Sequence, residues 1–410
     1  MDTTINKLWN KNFIMYVIAY ELAEMGSSLL RFAIPIYVLL GTGNPALLGT
    51  VLTLSWLPYV LLSLPGGLLA DRFNKRHIIV LSNVLIVAAN SIYIILIGNF
   101  DSFFISIVML VLMMVLQSVQ SPSSESSVFF IVPMDKFVQA NSVTSVLIIG
   151  SGILAPIIAG FILSQLGLNA IVYGSLFLFI ISSLLYGVLK IPFVKPEKTS
   201  GFLEAVAVDI KSGFKYIWHE QKTLRYATIG FFLYSLIFFP SSALIPSILI
   251  YNILGLGEAS IGLSQGFIQV GGVLSAILIN LFRSKINITK LTHLLVTGAV
   301  IQLLTLIAFI LVSSELLAFI IITVGLFLST TVLNMVSLSY FPFLAENTPE
   351  EIIGKIMAFG MTVMFSGASI SLFTVGRLFR LFSNNLVIAA LVLPILVITV
   401  SSAGIKELYA

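Results

Sequence analysis

The chain has 410 residues, 58% of them hydrophobic and only 9% charged, with a net charge of +4 and a mean hydropathy of +1.09. Soluble domains carry about 25% charged residues, so these values exclude a soluble enzyme or nucleic-acid-binding module and indicate an all-α membrane protein. The sequence has no cysteine, which removes disulfides, thiolate metal ligands and thiol nucleophiles. Its three histidines, His77, His219 and His293, are scattered, so neither a metal site nor any cofactor is expected.

Twelve apolar spans follow one another, over 13–40, 45–69, 77–98, 103–130, 138–164, 168–190, 224–252, 258–282, 290–313, 316–341, 353–379 and 384–404. Each is long enough for a hydrocarbon core of about 30 Å at ~1.5 Å per residue. The first follows Lys7 and Lys11, but it is too long for a signal peptide and lacks a cleavage site, so it stays as a helix. With both termini and the even-numbered connections inside, every Lys and Arg except Arg31, Arg377 and Arg380 falls on the inner side. That is the charge bias of a multi-pass protein with cytoplasmic termini. The excess positive charge then faces anionic lipid, and no nucleic-acid partner is implied.

The first span carries Glu21, Glu24 and Arg31. A charge inside the hydrocarbon costs several kcal/mol, about 2.5–3.5 on insertion scales, so such residues face the bundle interior and carry function. At ~100° per residue, Glu24 and Arg31 project within about 20° of each other. Glu24 lies about 16 Å deep, near the midplane, and Arg31 about 27 Å deep, near the outer surface. A carboxylate in dry surroundings can exchange a proton near neutral pH, and when ionised it attracts a cationic substrate. The competing reading is a permanent pair that fixes packing. Arg31 is expected to stand too far from Glu24 for contact, because seven residues span about 10.5 Å; its long stem can instead reach the outer headgroups.

Between the second and third spans stands Gly66-Gly67-Leu68-Leu69-Ala70-Asp71-Arg72-Phe73-Asn74-Lys75-Arg76-His77. Two glycines permit close helix approach, three cations mark the inner face, and Asp71 is an anion among them. The stretch resembles the signature loop of the major facilitator superfamily, G-x-L-A-D-R-x-G-R-[RK]. Asn74 stands in place of a glycine, as a residue that tolerates a left-handed turn, and Lys75 in place of an arginine. The resemblance implies a transporter of two pseudo-symmetric six-helix halves that works by rocker-switch alternating access. It also implies a cytoplasmic gate made by Gly67, Asp71, Arg72, Lys75 and Arg76, braced by Glu125 of the fourth span through Lys75 or Arg72. No Lys or Arg lies between His77 and Asp135, so the arginine that some relatives carry in the fourth helix is missing. In the fifth span, Ser151-Gly152-Ile153-Leu154-Ala155-Pro156-Ile157-Ile158-Ala159-Gly160 is similar to a softened antiporter motif.

Residues 1–190 and 223–410 form the two halves. The linker, 191–222, carries Leu203, Val206, Ile210, Phe214 and Ile217 at helical spacing, as an amphipathic helix on the inner surface would. Ile34-Pro35 and Ile245-Pro246 repeat between the halves. Of the many aromatics, Tyr234 and Phe238 share one helix face and are candidates to line a substrate cavity beside Glu24, Glu21 and Arg31.

Along the whole chain the layout is similar to the macrolide-efflux and siderophore-exporter branch of the superfamily. The resemblance implies a monomeric, proton-coupled exporter of small amphipathic drugs or secondary metabolites in a bacterial cytoplasmic membrane. Protons are the implied coupling ion, and membrane lipids surround the protein. A transporter of an endogenous zwitterionic or anionic solute, such as a metallophore or lipid, is the alternative. A non-transporting membrane sensor is a remote third; no catalytic dyad or nucleotide motif supports an enzyme.

Overall fold

A computed structural model describes residues 8–97, 102–192, 215–220, 222–282, 288–349, 352–382 and 385–409. In a bilayer every backbone polar group must be satisfied within its own segment, and these apolar runs accordingly form helices. They are α1 (Lys11–Thr42), α2 (Pro45–Arg72), α3 (Lys75–Leu96), α4 (Ser102–Ile131) and α5 (Phe137–Val188). After the linker come α6 (Lys222–Phe239), α7 (Glu258–Phe282), α8 (Ile288–Leu311), α9 (Glu315–Glu346), α10 (Ile353–Leu381) and α11 (Leu386–Tyr409). The π-helical turns Pro240–Leu244 and Leu249–Ile253 prolong α6. Among the described residues ten helices are long and apolar enough to cross a membrane, and Leu386–Ser401 is a shorter apolar one. Met134–Val188 is long enough to cross twice, which brings the passages to about the expected twelve. The predicted fifth and sixth spans are two helical arms, broken at Gly167, whose non-helical φ of 76° is open to glycine and strained for other residues.

The α2–α3 junction is tighter than expected. Asn74 adopts no left-handed turn; at φ −64° it caps α3, its side chain accepting from the Arg76 amide at 3.0 Å. The predicted amphipathic linker helix, at 203–217, lies almost wholly outside the described residues.

By their contacts the residues group into two compact units, Met1–Tyr37 with Leu61–Val206, and Val38–Val60 with Ala207–Ala410. In the first unit, Phe13, Tyr16, Ile79, Val128, Ile131 and Tyr186 build the inner-end core. The second arm of α5 runs along α1, where Ser182 donates to the Ala19 carbonyl (2.7 Å) and Ser175 to that of Gly26 (3.0 Å). In the second unit, Phe231 stacks on Tyr340 with ring centroids 4.0 Å apart and on Tyr234 at 5.3 Å. The first half of α2 joins this unit through Trp56, which meets Phe239 and Phe365 at 5.3 and 5.5 Å.

The two glycines that open the signature are not equivalent. A Cβ on Gly66 would stand 2.7 Å from the Ser118 carbonyl oxygen on α4, whereas one on Gly67 would meet nothing within 4 Å. Gly66→Ala is therefore expected to destabilise by about 1–3 kcal/mol through overpacking against backbone. Gly67→Ala is expected to be neutral or to stabilise by up to ~1 kcal/mol, since alanine is the better helix former. Thermal melting of the two detergent-purified variants checks the contrast; equal melting points would remove the packing role of Gly66.

Candidate functional site

The charged face of α1 lies in the first unit. Arg31 does not reach outward to the headgroups. Its guanidinium folds back along the helix and pairs with the Glu24 carboxylate, while also donating to Ser28 Oγ at 2.7 Å. This corrects the expectation that the two charges stand too far apart: the seven-residue rise is bridged by the length of the arginine arm. Ser28 Oγ donates in turn to Glu24 Oε1 at 3.2 Å. Both charged side chains remain partly accessible, 24% for Arg31 and 21% for Glu24, so the pair is reachable and not sealed in the core.

Glu21, one turn toward the inner end, accepts from Ser151 Oγ of α5 at 2.7 Å. Ser151 is the first residue of the small-residue stretch in that helix, and it ties α5 to the charged face. Below Glu21, the Tyr16 hydroxyl donates to the Ser124 carbonyl of α4 at 3.0 Å, and Tyr16 stacks on Tyr20 at 5.8 Å. Glu125 follows Ser124. It is exposed, and its carboxylate lies within electrostatic reach of Glu24 and of the neutral Tyr16 and Tyr20 hydroxyls. Three carboxylates of the first unit thus share one electrostatic neighbourhood.

Lys75, one of the two cations expected to meet Glu125, takes other partners. Lys75 Nζ donates to the Ala70 carbonyl at 2.9 Å and sits 5.2 Å from the centroid of Phe130. Arg76 donates to the Gly187 carbonyl at the end of α5. Lys75 and Arg76 are thus held by helix carbonyls near helix C-termini, where the dipole is negative. Arg72 ends α2, and the side chain of Asp71 lies outside the described ones.

Tyr234, expected beside a cavity, is instead a core residue of the second unit. It is 2% exposed, packed between Phe231 and Phe238, and its hydroxyl donates to Asn334 Oδ1 at 3.3 Å. Phe238 is only partly buried. Gln117, Gln120, Ser27 and Ser28 escaped the reading of the sequence. The signal that could have found them is amide or hydroxyl groups at interior positions of an apolar span, where polar groups are costly.

Carboxylates and an ion pair held inside membrane-crossing helices are what a multi-pass membrane transporter needs. The chain belongs to the Major Facilitator Superfamily, whose sequence profile matches residues 16–372. Macrolide efflux protein A of Streptococcus pyogenes is 21% identical over 241 residues, 58% of this chain and 59% of that protein; the match thus spans less than two thirds of that relative. Among solved structures, a bacterial homologue of the iron transporter ferroportin in an inward-facing state has a TM-score of 0.68 at 17% identity, with 96% of this chain and 98% of that one covered. The peptide transporter POT in complex with alafosfalin has a TM-score of 0.73 at 14% identity, with 99% and 97% covered. A bacterial homologue of the human lysosomal transporter Spinster has a TM-score of 0.71 at 13% identity, with 96% and 95% covered. At these identities the likeness establishes the fold alone.

Proposed function

We propose that this secondary transporter is a proton-coupled exporter of amphipathic molecules, an antiporter in a bacterial cytoplasmic membrane with both termini inside. One observation carries the reading: Glu24 sits inside the membrane part of the first unit with an internal cation, Arg31, already on it. A proton and a cationic substrate both compete with Arg31 for the same carboxylate. When the proton wins, the guanidinium is released and no substrate cation is held; when a substrate cation wins, the proton has left. Exclusive occupancy of one site is exchange. The distant likeness to a macrolide efflux protein supports export and amphipathic cargo. The inward turn of Arg31 favours one other reading, a solute carrying an anionic group that draws Arg31 off Glu24.

Reconstituted vesicles with an internal pH dye test this. Lipophilic amines and macrolides are expected to drive protons across in exchange, and carboxylate-bearing solutes to do so only under the second reading. Transport without proton movement for every transported compound would refute the coupling. Asp71 is proposed to hold the cytoplasmic gate, as the likeness of its loop to the family signature implies. Asp71→Asn is expected to slow turnover severely with membrane insertion intact. Wild-type turnover in that variant would end the gate role.

A further inference from the structure

Two glutamines of α4 lie where an apolar helix has little reason to keep amides. Gln117 and Gln120 are each 7% exposed. The Gln117 amide nitrogen donates to Ser27 Oγ on α1. Ser27 has committed its own proton to the Ala23 carbonyl at 2.8 Å, so it acts as acceptor and the orientation of the Gln117 amide is set. The Oε1 atoms of both glutamines are buried and have no protein partner. Such oxygens are held by water or by another donor.

These groups form a line. At ~100° per residue, Gln117, Gln120 and Ser124 fall within about 60° of one another on α4. Gln117 touches Ser27 at the upper end, and Ser124 touches Tyr16 at the lower end. Gln120 lies between them along α4, on the part of the seam that those two contacts bound. Beyond Ser124 comes Glu125, exposed and interacting with Glu24, Tyr20 and Tyr16. No Lys or Arg occurs in α4, so no fixed cation of that helix repels a proton along it. Glu21 is held aside by Ser151, and Arg31 lies on the far side of Glu24.

We propose that the α1–α4 seam is the proton route between Glu24 and the inner membrane face, with Gln117 and Gln120 holding the water that carries the proton and Glu125 as its mouth. The proposal rests on the proton-coupled reading above. A proton leaving the Glu24 carboxyl passes to water held by the glutamine oxygens, then to the Glu125 carboxylate, and from there to bulk water. One proton leaves the site, and no other bond changes. The seam would serve where other family members place an arginine in the fourth helix.

The test uses the full chain in vesicles, with stopped-flow readout of an internal pH dye after mixing with a transported amine. Gln120→Leu is close in size but cannot hold water; it is expected to slow proton release by about tenfold or more while leaving amine binding, read by tryptophan fluorescence, unchanged. Gln120→Glu, which restores an oxygen, is expected to recover the rate. Glu125→Gln is expected to slow release likewise, and it keeps the test alive should the leucine variant fold poorly. Wild-type protein that moves amine without protons would overturn the coupling and the seam together. Coupled wild-type protein, with Gln120→Leu or Glu125→Gln releasing protons at its rate, would overturn the seam alone.

Discussion

Glu24→Gln is expected to be the most damaging single substitution in α1, worse for the folded protein than Arg31→Met. The reason is an asymmetry in what each leaves behind. Removing Arg31 strands a carboxylate, which escapes the cost by taking a proton. Removing the Glu24 charge strands a guanidinium that stays charged in proteins, at about 2.5–3.5 kcal/mol for an arginine at the centre of a membrane helix. Partial exposure of the pair, 24% and 21%, and snorkelling of the long stem make this an upper bound. The double variant Glu24→Gln/Arg31→Met is therefore expected to melt near wild type while remaining uncoupled from protons. Melting of the purified variants gives the first result and vesicle pH traces the second. If the double variant is as unstable as Glu24→Gln alone, the stranded charge is not what destabilises it.

That pair also marks where sequence reasoning stopped. Helical phase placed Glu24 and Arg31 on one face, because phase depends only on residue count. Distance does not: it depends on which rotamer a four-bond arm adopts, and the arm folds inward to Glu24 and Ser28. Tyr234 shows the same limit. Its neighbour Phe238 shares its face, yet which neighbour that face meets was set by Phe231, Tyr340 and Asn334, contributed by its own helix and by residues about 100 positions away. The spans themselves were legible to within a few residues, since backbone satisfaction in lipid forces helices wherever apolar runs are long. The break at Gly167 falls between the fifth and sixth spans, where the apolar pattern places a boundary.

The signature loop was read correctly as a family mark, and the profile match over 16–372 agrees. Its individual roles were less accessible. Gly66 and Gly67 are chemically identical, and only the position of Ser118 on α4 decides that Gly66 alone tolerates no side chain. Likewise, a carboxylate near the inner end of α4 reads as a brace for Lys75 until Lys75 is found on the Ala70 carbonyl and Phe130. Gln117 and Gln120 carried no motif at all; their meaning comes from burial and from Ser27 opposite.

The second large effect is expected at the crossing of α2 and α10 inside the second unit. A Cβ on Gly49 would lie 2.5 Å from the Leu372 carbonyl oxygen and 2.9 Å from Gly376 Cα; one on Gly376 would lie 2.9 Å from Gly49 Cα and 3.0 Å from the Pro45 carbonyl oxygen. Those neighbours are backbone, so the helices must separate. One turn further on, Thr53 Oγ1 reaches the Ser369 carbonyl at 3.2 Å, a contact that separation would break. Overpacking of this kind costs about 1–3 kcal/mol, of which alanine recovers up to ~1 through helix propensity. Alanine is thus expected to weaken the crossing and valine, which is also stiff at χ1, to prevent it. Residues 38–60 group with the second unit while 61–72, in the same helix, group with the first. A crossing this close sets how α2 and α10 pack inside the second unit. Gly49→Val and Gly376→Val are therefore expected to reach the membrane and lose most turnover, with Gly174→Ala, where a Cβ would meet nothing within 4 Å, as the unaffected control. Turnover of Gly49→Val at the wild-type rate in vesicles would show that the crossing takes no part in transport.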